Sequence, residues 1–192
     1  MLSFFLRLCL RDRETKPVQL RPWEYVFAEV ANLIFWGVTL YLYGLTTDAI
    51  LVCLLSSALL VLSIVDWKIQ RIPRWINRFI LLLAVIHTVL HAEQWLTYVL
   101  GFCCISFILV LVYGLTKGRG IGGGDIKLMA AAGMFLGWEQ SLQAFFAACI
   151  FACVVHGLRM IVRKSGSTLA FGPYLAAGIL TVLWFTDRVV IY

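Results

Sequence analysis

The chain has 192 residues, 62% of them hydrophobic, and a mean hydropathy of +0.93. A soluble fold of this length cannot hide that much apolar surface, so its solvent is lipid and a single helical bundle is its simplest architecture. The net charge of +6 does not point to nucleic acid, because the bases sit in short loops between apolar runs and form no phosphate-binding face.

In chain order, residues 1–22 are expected to be an interfacial or cytoplasmic segment, with an amphipathic stretch over 1–10. A signal peptide is not expected, since Arg7 interrupts the apolar residues and no small-residue cleavage site follows. Residues 23–192 are expected to form one membrane-embedded domain. Seven apolar stretches run about 23–45, 49–65, 75–92, 95–115, 126–138, 142–162 and 168–185. Most approach the ~20 residues that cross a bilayer core. The predicted fold is therefore all-α, a polytopic membrane bundle of about seven transmembrane helices. The fifth run is the exception, reaching only ~20 Å as a helix. Its sequence favours burial, because Ala130-Ala131-Ala132-Gly133 and the pair Gly133/Gly137 let other backbones come close.

Lysines and arginines alternate with base-free loops. Arg7, Arg11, Arg13, Lys16 and Arg21 precede the first run, and none occurs at 46–48. Lys68, Arg71, Arg74 and Arg78 follow the second run, and none occurs at 91–94. Lys117, Arg119 and Lys127 flank the glycines, residues 139–141 carry no base, and Arg159, Arg163 and Lys164 close the sixth run. The basic loops are expected in the cytoplasm, with the N-terminus.

That topology brings Asp66 and Asp125, 59 positions apart, to one border of the membrane. An acid at such a border is a functional candidate by default. Each also has a plain structural role. Asp66 could pair with Lys68 or Arg71, and Asp125 could be the N-cap of the fifth helix. Gly122-Gly123-Gly124 exceed what a cap requires; they permit φ > 0 and close approach of an extended peptide. Pro73 suits the start of the next helix. Two carboxylates able to meet are the minimum equipment for hydrolysing a peptide bond without a metal.

Six cysteines, at 9, 53, 103, 104, 149 and 153, form no C-x-x-C pair and read as small buried hydrophobes. His87, His91 and His156 are assigned no role. No metal or cofactor is expected.

Together these patches resemble the prepilin peptidases, the bacterial aspartic proteases of type IV pilus and type II secretion systems. Asp66 followed by Ile72-Pro73 and Asn77 is similar to the family's first aspartate motif. Gly122-Gly123-Gly124-Asp125-Ile126-Lys127-Leu128 looks like its G-x-G-D-x-K-L signature, and Phe171-Gly172-Pro173-Tyr174-Leu175 its late F-G-P-[FY]-L segment. The similarity extends from about Tyr25 onward. It implies Asp66 and Asp125 as the catalytic pair. Gly122, Gly123, Gly124, Lys127, Pro73, Asn77, Phe171, Gly172 and Pro173 would bind substrate or shape the site. The implied substrate is a prepilin or pseudopilin with a short basic leader, cleaved at the cytoplasmic face of the bacterial inner membrane. Full-length members usually carry two C-x-x-C pairs near the N-terminus; residues 11–21 stand in that place, so the chain reads as a short form and N-methyltransferase activity is not expected. Two other readings compete: an ion- or proton-coupled transporter using Glu29, Asp66 and Asp125, and an inactive scaffold in a secretion assembly. The sequence carries no signal of oligomeric state.

Overall fold

The structure is a computed structural model and describes residues 21–117, 121–163 and 170–186. The N-terminal segment expected over 1–22 therefore falls almost wholly outside the described residues. Among the described residues seven α-helices follow in order: α1 Pro22–Tyr43, α2 Thr47–Ile69, α3 Arg74–Leu90, α4 Trp95–Leu115, α5 Gly123–Leu136, α6 Trp138–Arg163 and α7 Gly172–Phe185. A 3-10 turn, Ala92–Gln94, joins α3 to α4, and there is no strand among the described residues. Each apolar run of the sequence has become one helix.

The helix ends follow local chemistry. Pro22 opens α1, where a missing N–H costs nothing, and the Arg21 N–H donates to Glu24 Oε2 at 2.8 Å. Thr46 caps α2, its Oγ1 accepting from the Ala49 N–H at 3.1 Å. Gln70, in the left-handed region at φ 52°, ends α2, and Gly137 at φ 86° lets α5 turn sharply into α6.

Among the described residues, four spans are long and apolar enough to cross a membrane: Pro22–Tyr43, Thr47–Ile69, Ala92–Leu115 and Trp138–Val155. Many large apolar side chains lie on the outside of the bundle. On α1 only Ala28 and Thr39 are buried, while Trp23, Phe27, Leu33 and Tyr41 are exposed. Such a helix, apolar all round with little protein against it, is built to face hydrocarbon.

Helix α5 is the hub, packed against α3, α4, α6 and α7. Its residues from Leu128 to Gly133, with Phe135 and Leu136, are all buried, as the small-residue run predicts. A Cβ on Gly133 would stand 2.6 Å from the Gly101 carbonyl oxygen of α4, inside any real contact. Gly133→Ala is expected to cost about 1–3 kcal/mol by overpacking, seen as a lower unfolding temperature in detergent. Gly37→Ala, with nothing near its Cβ, should leave that temperature unchanged or slightly raised.

Among the described residues, the end of α2 and the starts of α3, α5 and α7 meet at one end of the bundle, where Lys68, Arg71, Arg74 and Arg78 also lie. Asp48, Glu93 and Glu139 fall at the other, where Tyr43 donates to the Leu183 carbonyl at 2.6 Å.

Candidate active site

Asp66 lies in the last turn of α2, which continues to Ile69 and past the expected limit of 65. It is only 5% exposed. Its Oδ2 accepts a hydrogen bond of 2.9 Å from the Gly172 N–H, the first residue of α7. A helix N-terminus carries partial positive charge and unpaired N–H groups, so α7 points a natural anion holder at this carboxylate. The late Phe171-Gly172-Pro173 segment thereby acquires a definite task. Pro173 sits in the first turn, where no partner for its nitrogen is needed. Phe171 packs edge-on against Phe145 of α6, ring centroids 6.5 Å apart, which seats the start of α7. Gly172 has to be glycine, because a Cβ there would lie 2.7 Å from Asp66 Oδ2. The alternative pairing of Asp66 with Lys68 does not form. Lys68 instead donates to Glu24 Oε1 of α1 at 2.6 Å.

Asp125 is not the N-cap of its helix. Helix α5 begins at Gly123, with Gly122 in the capping position, and Asp125 is the third helical residue. From there its Oδ2 reaches back to accept from the Gly122 N–H at 3.2 Å. The side chain is 9% exposed. The glycine run differs from expectation too. Among the described residues only Gly44 and Gly137 are glycines with positive φ, so Gly122, Gly123 and Gly124 supply no left-handed turn. They supply proximity. A Cβ on Gly124 would meet Ile72 Cβ at 3.1 Å, and one on Gly122 would meet Asp125 Oδ2 at 3.1 Å, while Gly123 faces open space.

The loop ahead of α3 closes the arrangement. Pro73 is the N-cap residue of α3, extended at φ −61°, ψ 133°, and it carries Ile72 onto Gly124. Asn77, 7% exposed, donates from Nδ2 to the Gly124 carbonyl at 3.1 Å. That bond ties α3 to the peptide group immediately before Asp125. Removing a buried partner costs about 1–3 kcal/mol, so Asn77→Ala is expected to reduce both unfolding temperature and cleavage rate. A wild-type rate from this variant would remove Asn77 from the site.

Asp66 and Asp125 thus stand at the same end of the bundle, linked through Ile72, which follows α2 and lies against Gly124. A cavity of about 390 Å³ opens beside Gly124, walled also by Ile72, Arg74, Asn77, Lys127 and Phe102; neither aspartate lines it. Lys127 is exposed and borders this cavity. Glu29, half-buried on α1, is engaged in an interaction of its own.

Two features escaped the sequence. The Gly172 N–H donor comes from a helix start 106 positions beyond Asp66, and no spacing rule links them. The histidines are not all scattered: His87 and His91 converge with Asp48 at the far end of the bundle, one ligand atom of each lying within 4.8 Å of the others. The i, i+4 spacing of the two histidines, at the end of α3 and its C-cap, was a usable signal.

With this geometry in place, comparisons with known proteins are informative. The model of the Type IV leader peptidase family matches residues 53–158. A prepilin leader peptidase/N-methyltransferase of Bacillus subtilis is 25% identical over 86% of this chain and 68% of its own length. Proteins of the same name from Pseudomonas putida and Burkholderia pseudomallei are 29% and 30% identical, over 92% and 84% of this chain and 64% and 55% of theirs. The chain therefore spans a little over half to two thirds of these relatives' length. No solved structure matches it. The family match spans both aspartates, most of α2 and all of α5, and the chain belongs to the Type IV leader peptidase family as a multi-pass membrane protein.

Proposed function

We propose that the chain is an aspartic endopeptidase that removes the basic leader from prepilins or pseudopilins at the cytoplasmic face of the inner membrane. The observation that carries this reading is the convergence of two buried carboxylates, from α2 and α5, at the basic end of the bundle. Each has one oxygen held by a backbone N–H, Asp66 by Gly172 and Asp125 by Gly122. Held in this way, the pair keeps its geometry without a metal.

One carboxylate accepts a proton from the attacking water while the other, protonated, gives its proton to the scissile carbonyl oxygen; as the C–N bond then breaks, the first passes the water's proton to the departing amine and the second recovers its proton from the tetrahedral hydroxyl. Two adjacent carboxylates cannot both ionise cheaply, so one shared proton readies the pair near neutral pH. The peptide lies extended beside the start of α5. The cavity beside Gly124 and Lys127 receives residues flanking the cut. The substrate's apolar helix rests against the outer hydrocarbon face, while its basic leader stays in water. Arg74, Arg78 and Lys127 set this end towards the cytoplasm.

Co-expression with a candidate prepilin tests the reading. Mass spectrometry of the pilin is expected to find the leader removed only when this chain is present. Unprocessed precursor with every prepilin and pseudopilin tried would contradict it.

A further inference from the structure

A second cluster lies at the opposite end of the bundle, and the reaction does not use it. Asp48 is in the first turn of α2, His87 in the last turn of α3, and His91 immediately follows that helix. Asp48 is eighteen residues from Asp66 along α2, or ~27 Å at helical rise.

The hydrogen bonding of His91 fixes its chemistry. Its Nδ1 lies 3.2 Å from the His87 carbonyl oxygen, which can only accept, so Nδ1 carries the hydrogen. In the neutral ring the lone pair is then on Nε2, and Nε2 faces Asp48 Oδ2 at 3.5 Å. Two acceptors face each other, and a cation between them resolves the conflict. The gap exceeds the ~2.7–2.9 Å of a charge-assisted hydrogen bond. It matches the spacing of two ligand atoms about 2.0–2.2 Å from one tetrahedral ion. A histidine whose other nitrogen donates to a carbonyl is also the usual metal-binding arrangement.

The surroundings agree. Asp48 Oδ1 is buried with no hydrogen-bond partner among the described residues. The His87 ring is stacked on Phe135 at 4.4 Å between centroids and met edge-on by Tyr98 at 5.1 Å, so it is oriented in advance. A cavity of about 450 Å³, also lined by Gln94 and Glu139, opens beside the three side chains. It has room for a water in the fourth position.

We propose that Asp48, His87 and His91 bind one divalent transition-metal ion of the zinc class, clamping the start of α2 to the end of α3. Two imidazoles and one carboxylate suit zinc, cobalt or nickel and not magnesium or calcium. The site stabilises the bundle and takes no part in cleavage.

Full-length chain without a polyhistidine tag, purified metal-free in detergent, is titrated with Co²⁺ alone. One ion per chain is expected, with the intense visible absorption of tetrahedral cobalt, displaced by Zn²⁺. Asp48→Asn and His91→Gln should each weaken binding by about 100-fold or more. Zn²⁺ should raise the unfolding temperature of the parent but not of these variants. Absence of both the cobalt band and the thermal shift in the parent overturns the proposal, whatever the variants do. Binding unchanged in both variants, or a thiolate-to-cobalt band placing the ion on cysteine, overturns it equally.

Discussion

Asp66→Asn and Asp125→Asn chains are each expected to lose prepilin cleavage by about 10³-fold or more while remaining folded. Asparagine preserves the shape of each side chain and can still accept the backbone hydrogen bond from Gly172 or Gly122. What it cannot do is take up or release a proton at the pH of the reaction. Because both carboxylates serve one proton transfer, the double variant should be no worse than either single one. Glu93→Gln, at the other end of the bundle, should cleave at the parental rate. Leader removal persisting in both single variants would end the dyad account and assign hydrolysis elsewhere.

The second large effect is expected from a single methyl group. Gly172→Ala would place a Cβ 2.7 Å from Asp66 Oδ2 and 3.0 Å from Asp66 Cγ, so either the carboxylate or the start of α7 must move. Displacement by about 1 Å is enough to lower a rate by roughly 100-fold. The same substitution at Gly123 meets nothing within 4 Å and should leave activity near the parental level. Gly124→Ala should fall between the two, since Ile72 at 3.1 Å is a side chain that can give way. The ordering is the informative result, and quantitative immunoblotting of processed and unprocessed pilin measures it. Equal loss at Gly123 and Gly172 would mean that the glycines act through backbone freedom and not through proximity.

The helices themselves were legible because crossing a hydrocarbon layer leaves few choices: each apolar run must satisfy its own backbone as a helix. Alternating basic and base-free loops also placed Asp66 and Asp125 at one end, and the small residues of α5 announced its central position. The start of α5 was misread for a physical reason. Three glycines resemble a loop by propensity, yet packing of Gly124 against Ile72 and of Asn77 against the Gly124 carbonyl holds Gly123 and Gly124 in the first helical turn, with Gly122 as its cap. Asp125 consequently moved from a cap to an interior position and reaches back to Gly122. The donor to Asp66 was not legible, because Gly172 meets it only through the packing of α2 against α7. The same holds for Asp48 beside His87 and His91. Half of that cluster is written in the spacing at the end of α3, and the other half depends on how α2 and α3 lie side by side.

The convergence of the two aspartates can be measured directly. In a chain whose native cysteines are replaced, Asp66→Cys and Asp125→Cys are combined and treated in membranes with a short bis-thiol reagent, and peptides are mapped by mass spectrometry. An intramolecular link between positions 66 and 125 is predicted, and none when Asp66→Cys is paired with Glu93→Cys. Failure of 66 and 125 to link, with both thiols shown to be reactive, would contradict a shared catalytic site.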